Sequence, residues 1–390
     1  MFRAGKKSVS ALTAVLFVMI ISQSTGIERE VPHMRSLSSS FLHDSRSGTE
    51  IREFCSVITA SSGGTVLFMG NVDLRSGKIS DRELKVEFFS AEEEYAYVKL
   101  GRQWHEKGYD TRSPWNDWVL LNEKGLAAAG SGVPLMSLTP HPERPFSGSA
   151  HQFVVKAMRE CSDVAGVLEL AQTFDFGEEI EGQYHIADAT GDAVVISAGR
   201  DGELAFTRKD RGDGYLVSTN FNLAVPERGT YPCWRHETAT TMLGEVGGEN
   251  DLTVDYAASI LDAIHVEGLW VNTAVSYVFD LNSGDIYLYY LHRFEDGARM
   301  SFQEEIEEIN ESSLYSASFF SAPLGEGLHS RSHYFFDLFS EETLEEARSE
   351  IQDYKRERYL CIVVAVIAGA MVVSGLFLVV YGKVKTRQKN

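Results

Sequence analysis

Short apolar runs of the β type, separated by turn residues, occupy much of the chain from Cys55 onward. The first two runs, 56–60 and 65–69, are joined by Ser-Ser-Gly-Gly, so the sequence predicts a β-hairpin. Because hairpin strands run antiparallel, Cys55 is expected to lie near Asp73, which is 18 positions further on. The same pattern predicts further strands at 83–89, 95–100, 118–122, 183–188, 193–198, 204–207, 215–218, 273–280 and 286–291.

Apolar residues recur at helical spacing in four stretches between these runs, and this predicts helices there. The four stretches are 148–161, 163–171, 234–243 and 254–264. Strands and helices therefore alternate in blocks, which indicates an α+β fold layered around antiparallel sheets. Residues 341–358 are charged and helix-favouring, and we expect them to form a stalk.

The two ends of the chain have patterns typical of export and membrane anchoring. Basic residues precede an uncharged stretch with an apolar centre at 14–21, which predicts a signal peptide over 1–26 or, alternatively, an uncleaved signal anchor. The run 360–381 has 22 residues and no charge, enough at about 1.5 Å per residue to span a bilayer core. A buried core helix is the alternative. Basic residues in the tail, 382–390, place the C-terminus in the cytoplasm.

A polar, Ser-rich segment separates the signal from the first strand, and 27–54 is interpreted as a linker or pro-segment. The domain between the two apolar ends, 55–335, is then expected on the extracytoplasmic side of the cell membrane, held by a single helix. Composition adds that nucleic acid is not a partner, because a formal net charge of -20 leaves little basic surface for phosphates.

The exported part contains three cysteines, namely Cys55, Cys161 and Cys233, because Cys361 lies at the start of the apolar run. Three cysteines cannot all pair within one chain, so one is an intermolecular partner or a reactive thiol. A disulfide from Cys55 to either of the other two remains an alternative. If the chain is cut before Cys55, the new α-amino group, with a pKa near 8, could activate the thiol on the same residue.

The stretch FCSVITASSGGTVLFMGNVD resembles the opening of the cysteine-type N-terminal nucleophile hydrolases, which include choloylglycine (bile salt) hydrolases, penicillin V acylases and acid ceramidase. Further stretches resemble the same family in the same order, and the resemblance covers roughly residues 55–293. They are NEKGLAAAGSGVP, QYHIADATGDAVVIS, VSTNFNL, YPCWRHETA and the strand pair at 273–291. The resemblance implies a four-layer αββα sandwich.

The resemblance also assigns roles to residues. Cys55 resembles the nucleophile released by self-cleavage of the bond before it, and Asp73 matches the aspartate that holds its amino group. Asn220 matches an asparagine near the oxyanion, and Arg235 resembles a later active-site arginine. Two residues are expected to contact substrate: Asn71, in the Asn-x-Asp motif, and Ser131, in the Gly-rich segment.

The chain departs from the family at two of these places. Many members have an arginine just before the Asn-x-Asp motif, where this chain has Gly70. The asparagine often found in the Gly-rich segment is replaced by Ser131 or Gly132, depending on the alignment.

Each assigned residue also has a purely structural interpretation. Asn71 and Asp73 could close a turn, Asn220 and Asn222 could form one, and Arg235 could lie on the surface at a helix start. Among the histidines, His185 is interpreted as a core residue, whereas His329 and His333 would share a face if their segment were helical. No carboxylate motif accompanies that pair, so no metal and no cofactor are predicted.

The sequence thus predicts a membrane-tethered amidohydrolase that cleaves small-molecule N-acyl amides through Cys55. An acyltransferase of the same fold, in which an amine replaces water, is one alternative. A binding ectodomain that has lost activity is the other. The sequence does not indicate the oligomeric state.

Overall fold

The computed structural model describes residues 55–75, 84–102, 117–180, 182–210, 212–229, 231–248, 250–268, 271–312 and 329–387. The predicted signal peptide, 1–26, and the predicted pro-segment, 27–54, lie outside the described residues. Their interpretation therefore stays a prediction.

Twenty strands lie within the described ranges. In chain order they are β1 (Cys55–Ser62), β2 (Thr65–Arg75), β3 (Leu84–Ser90), β4 (Tyr97–Arg102), β5 (Asp117–Asn122), β6 (Ala127–Ser131), β7 (Met136–Ser137), β8 (Phe146–Ser147), β9 (Phe174–Asp175), β10 (Glu179–Ile180), β11 (Gln183–Ala187), β12 (Ala193–Ala198), β13 (Leu204–Arg208), β14 (Tyr215–Ser218), β15 (Phe221–Asn222), β16 (Val225–Gly229), β17 (Val271–Asp280), β18 (Asp285–Tyr290), β19 (Ala298–Ser301) and β20 (His329–Tyr334).

Fourteen of the strands form two large antiparallel sheets. The first has six strands in the order β14-β1-β2-β17-β18-β19, and the second has eight in the order β13-β12-β11-β6-β5-β4-β3-β20. The remaining strands form three two-stranded sheets. β1 and β2 therefore lie in the middle of the six-stranded sheet, where both of their edges are paired.

Six α-helices lie in the described ranges, together with a short 3-10 helix at Phe335–Leu338. In chain order they are α1 (Ala150–Glu160), α2 (Val164–Gln172), α3 (Trp234–Leu243), α4 (Val254–Ala263), α5 (Phe302–Ser312) and α6 (Glu341–Arg387).

Three hydrophobic clusters show how these elements are layered. One lies between the two sheets and joins residues such as Val57 and Phe68 to Val86 and Val119. A second packs α1 and α2 on the outer face of the eight-stranded sheet. A third packs α3 and α4 on the outer face of the six-stranded sheet. The order helix, sheet, sheet, helix confirms the predicted α+β class and gives the four layers that the resemblance implied.

Local sequence signals explain where several helices begin. Ser149 and Gln152 form a capping box at the start of α1, Asp163 accepts a hydrogen bond from the Gly166 N–H before α2, and Thr253 accepts one from the Tyr256 N–H before α4. Each cap satisfies a backbone donor that the first turn of a helix leaves without a partner. These helices begin within two residues of the predicted positions.

The predicted hairpin of β1 and β2 is confirmed, but its turn is shorter than expected. Ser62 pairs with Thr65, so only two residues, Gly63 and Gly64, make the turn. Their φ angles of 56° and 101° lie in the region that glycine adopts without a steric penalty. The predicted four-residue turn is wrong because Ser61 and Ser62 continue the ladder.

Several elements were missed, most of them strands of two to five residues, and three of the missed or misjudged elements are informative. The Gly-rich stretch contains a strand, β6, because its small alanines fit a closely packed sheet interior. His329 and His333 lie in a strand, β20, so the helix considered for them is wrong. The charged helix α5 was not predicted, since its buried residues, such as Ile306 and Ile309, are few and widely spaced.

The predicted stalk and the apolar run 360–381 lie in one continuous helix, α6. Its first turns join the body, since Leu344, Ala347 and Ile351 are buried in the cluster between the sheets. Side chains at 368, 373 and 376–387 lie outside the described ones. Among the residues that the structure describes, no helix is long and apolar enough to cross a membrane.

Candidate active site

Cys55 is the first residue of β1, and its side chain lies in the cluster between the two sheets with 8% exposure. It pairs with Val72 of β2. On the other side, β1 pairs with β14 from Val57 opposite Ser218. β14 ends at Ser218, two residues before Asn220. Four cysteines are described, and all are thiols, so Cys55 forms no disulfide with Cys161 or Cys233.

Asp73 follows Val72 and therefore lies beside the start of the Cys55 strand, as predicted from the hairpin. It is completely buried. The hydroxyl of Thr273 on β17 donates to its Oδ1 at 2.5 Å, and Nη1 of Arg235 donates to its Oδ2 at 2.9 Å. Burial raises the pKa of Asp73 to about 6, although Arg235 and the Thr273 hydrogen bond both act to lower it.

Arg235 joins Asp73 to Asn220. Its Nη1 also donates to Oγ of Ser56 at 3.1 Å, and its Nη2 donates to Oδ1 of Asn220. A guanidinium can only donate, so the Asn220 amide must present its oxygen to Arg235. The amide nitrogen accordingly donates to the carbonyl oxygen of Gly132 at 2.8 Å. Arg235 is buried and does not lie on the surface.

Ser131 supports the loop that carries Asn220. Its hydroxyl donates to the carbonyl oxygen of Thr219 at 3.0 Å. Nε2 of Gln183 donates to the same carbonyl at 2.8 Å and to that of Phe221 at 2.9 Å. Sequence reasoning missed Gln183, although a fully buried glutamine in an otherwise apolar strand was a usable signal.

Asn71 lies apart from this network. Its amide nitrogen donates to the carbonyl oxygen of Leu261 on α4 at 2.9 Å, and its oxygen accepts from the hydroxyl of Ser276 on β17 at 2.7 Å. These contacts attach the six-stranded sheet to the helix layer. The expectation that Asn71 contacts substrate stays a prediction.

Cys233 is a buried thiol close to Arg235. It is the N-cap of α3, immediately before the helix that carries Arg235. Burial acts to raise the pKa of this thiol, but the Arg235 guanidinium and hydrogen bonds around the helix start outweigh it and lower the pKa. A second titratable group beside Arg235 therefore has a perturbed pKa.

His185 is a core residue, as interpreted from the sequence. Its Nε2 lies 2.9 Å from Oγ1 of Thr59, and its Nδ1 lies 3.0 Å from Oγ of Ser218. Burial lowers its pKa to about 3, so the ring is neutral. Thr59 is four residues along β1 from Cys55, which is roughly 13 Å in an extended strand. His185 therefore does not lie beside the thiol.

Two cavities lie away from this network. One of about 120 Å³ borders His141 and Glu203, and the other, of about 330 Å³, lies at the Ser61 end of the hairpin. Neither borders Cys55. The described residues contain no cluster of three or more His, Cys, Asp or Glu that could hold a metal ion. The buried polar contacts therefore define the candidate site better than cavity volume does.

A comparison with protein-family profiles found no match, and neither did one with curated proteins. Among solved structures, the chain is similar to a variant of conjugated bile acid hydrolase from Clostridium perfringens, with 14% identity and a TM-score of 0.47 over 64% of this chain and 93% of that one. A second variant of that hydrolase has 13% identity and a TM-score of 0.45, over 72% and 97% of the two chains.

Penicillin V acylase from Agrobacterium tumefaciens is also similar, with 12% identity and a TM-score of 0.44 over 60% of this chain and 82% of that one. Both names belong to the kinds of hydrolase that the sequence motifs resemble. Each of these three TM-scores is below 0.5, so the roles of residues in this chain are inferred from its own contacts.

Proposed function

We propose that this protein is an amidohydrolase of the N-terminal nucleophile type, which cleaves linear amides through Cys55. The observation that carries the proposal is the fully buried Asp73 carboxyl at the start of the Cys55 strand, held by Arg235 and Thr273. A buried carboxyl is costly unless its hydrogen bonds are satisfied. A protonated amino group on Cys55 would provide a further partner for it.

The reaction follows from an N-terminal cysteine. Its α-amine takes the proton of its own thiol, and the thiolate forms a bond to the amide carbonyl carbon. When the intermediate collapses, the C–N bond breaks and the leaving amine takes the proton from the α-ammonium group. Water then attacks the thioester, releases the acid and restores the thiol. Asn220, which Arg235 links to Ser56 and Asp73 at the start of the Cys55 strand, would lie near the oxyanion.

Maturation would require cleavage of the bond between Phe54 and Cys55, since the α-amine exists only after that cut.

A second part of the proposal concerns the location of the protein. The uncharged run 360–381, followed by a basic tail, supports a domain held at the extracytoplasmic side of a membrane by α6. Leu360, Val366 and Val372 in this run are exposed to between 52% and 66%, as a lipid-facing helix would require.

N-terminal sequencing of the purified protein tests the mechanism. We expect a mature chain that begins at Cys55, and we expect the Cys55→Ala variant to remain uncut. Cys161→Ala is the matched control, because it removes another buried thiol whose pKa burial raises to about 11. This control should be processed like the wild type.

Amide hydrolysis is then measured as the release of 4-nitroaniline from acetyl, phenylacetyl and decanoyl 4-nitroanilides. A chain that begins near residue 25 and hydrolyses none of these amides would contradict the proposal and favour a binding domain. Processing without hydrolysis, but with transfer of the acyl group to an added amine, would instead indicate an acyltransferase.

A further inference from the structure

Tyr277 occupies the space that a side chain at position 70 would need. Gly70 in β2 pairs with Val57 on one side and with Tyr277 of β17 on the other. A Cβ atom added to Gly70 would lie 2.5 Å from Oη of Tyr277 and 2.3 Å from the carbonyl oxygen of Ser56. The phenol therefore lies across Gly70 towards β1, and glycine is required beneath it.

The hydroxyl of Tyr277 has no evident structural purpose. The residue is 1% exposed, and its ring packs beside Phe68 and Phe279. Oη forms no hydrogen bond with any group that the structure describes. A phenylalanine would fill the same space without burying a polar atom. An unsatisfied buried hydroxyl in a strand next to the nucleophile calls for an explanation.

The register places this hydroxyl close to Cys55. Cys55, Val72 and Val275 form one row across β1, β2 and β17, and Val57, Gly70 and Tyr277 form the next. Cys55 and position 70 are therefore diagonal neighbours, with Cα atoms roughly 7–8 Å apart. Since Oη lies over Gly70 and all these side chains belong to the cluster between the sheets, the hydroxyl and the thiol lie on the same face of the sheet in neighbouring rows.

The protonation state of Tyr277 suits a donor. Burial raises its pKa well above the ordinary value, and a charged Cys55 raises it further. The phenol thus stays protonated even beside a thiolate. Many of the hydrolases that the sequence resembles have a charged arginine at the position of Gly70. In this chain, Tyr277 supplies a neutral O–H group there.

We infer that the Tyr277 hydroxyl donates a hydrogen bond to the carbonyl oxygen of the substrate as Cys55 attacks. This inference rests on the proposed function. In the step, Sγ forms a bond to the carbonyl carbon and the C=O electron pair moves to oxygen, where the O–H of Tyr277 meets it. No proton leaves Tyr277. The C–N bond then breaks, and the leaving amine takes its proton from the α-ammonium group of Cys55.

The test compares Tyr277→Phe with Tyr290→Phe in the full chain. Tyr290 is the matched control because it is a buried tyrosine of the same sheet and cluster that packs against Phe335 and Phe336. The probe is the decanoyl anilide, whose apolar chain suits the apolar face around Cys55. Active thiol is titrated with 4-nitrophenyl decanoate, so that kcat refers to processed protein.

Loss of one such donor lowers kcat by roughly 10²- to 10³-fold, and we expect this for Tyr277→Phe with little change in KM. Decanal forms a thiohemiacetal oxyanion on the thiol, and its affinity should fall by a similar factor. Inhibition by decanol, which forms no oxyanion, should not change. The melting temperature of Tyr277→Phe should be equal to or higher than that of the wild type, because an unsatisfied polar atom is removed.

Three results would overturn the inference while leaving the proposed function intact. The first is a kcat of Tyr277→Phe within threefold of the Tyr290→Phe value. The second is an equal loss of decanol and decanal binding by Tyr277→Phe. The third is a Tyr277→Phe chain that is not cut before Cys55 although the Tyr290→Phe chain is cut. A wild-type chain in which Cys55 is acylated by none of the acetyl, phenylacetyl and decanoyl esters would instead refute the proposed function, and this inference with it.

Discussion

Asp73 holds a carboxyl group where burial strongly disfavours its charged form. Thr273 and Arg235 each occupy one of its oxygens, and these contacts act to lower the pKa but only partly offset burial. The result, a pKa of about 6, leaves the group close to a balance between its two protonation states near neutral pH. Such a balance is typical of sites where a carboxyl exchanges partners with a neighbouring group.

Asp73 should make stability depend on pH in a direction unusual for a carboxyl group. Its pKa is about 6 in the folded protein against an ordinary 3.8, so the folded state holds the proton more tightly. The free energy of unfolding should therefore fall by roughly 2 kcal/mol as the pH rises from about 4 to about 6, out of a full effect of about 3 kcal/mol. Urea unfolding at pH 4 to 7 of the Cys55→Ala chain, with and without Asp73→Asn, measures the difference, because this uncut chain has no Cys55 ammonium group beside Asp73.

Exposed Glu295 provides the control for this series. Glu295→Gln should change the pH dependence little, because the side chain lies in solvent in both states. A Cys55→Ala chain whose stability relative to Cys55→Ala/Asp73→Asn rises between pH 4 and 6 would show that Arg235 and Thr273 outweigh burial. The assigned direction would then be wrong.

At the scale of elements, one ion pair attaches a helix of the outer layer to the six-stranded sheet. Arg235 lies in the first turn of α3, and Asp73 lies in β2. The same guanidinium contacts Ser56 in β1 and Asn220 in the loop after β14. Four separate segments thus meet at one side chain, and the position of Asn220 depends on where α3 packs.

Arg235→Met should destabilise the protein by about 3–5 kcal/mol, because it leaves the buried Asp73 without its counter-charge. The matched control is Arg299→Met, which removes the paired contacts between Arg299 and Asp285 on the surface. Exposed pairs contribute about 0–1 kcal/mol, so the control should be nearly neutral. Urea unfolding at pH 7 measures both variants. Equal losses for the two would show that the buried pair has no special energetic role.

At the scale of the whole molecule, α6 joins the folded body to the apolar run. Nη1 of Arg293 donates to Oε2 of Glu350 at 3.0 Å, and the hydroxyl of Tyr354 contacts Glu350 and Glu267. Burial disfavours the charge on Glu350, but hydrogen bonds from His292, Tyr354 and Arg293 outweigh it and lower its pKa to about 2. Near neutral pH the start of α6 is therefore held by a charged clamp.

Removal of the apolar run should separate tethering from folding. A chain that ends at residue 358 keeps the Glu350 clamp, and we expect it in the soluble fraction with an unchanged melting temperature. A chain that ends at residue 381 is the matched control, since it loses only the basic tail and should stay with membranes. Carbonate washing of isolated membranes distinguishes the two. Release of the full-length chain by carbonate without detergent would contradict the tether.

Much of the fold was predictable because period and turn residues are local signals. The bounds of β12, β14 and α3 match their predicted ranges, and the hairpin that brings Asp73 beside Cys55 follows from antiparallel pairing alone. The Gly-rich stretch was misjudged because alanines and glycines have no strong period. The strand β6 forms there only because neighbours on both sides supply its packing.

The sequence by itself determined the alternation of strand and helix blocks and the proximity of Cys55 and Asp73. These depend on patterns and spacings within short windows. The tertiary structure alone decided the partners: Arg235 between Asp73 and Asn220, Gln183 under the Asn220 loop, and Tyr277 over Gly70. Such contacts join residues that are far apart in sequence, and which side chains meet is set by sheet register and layer packing, which no local pattern encodes.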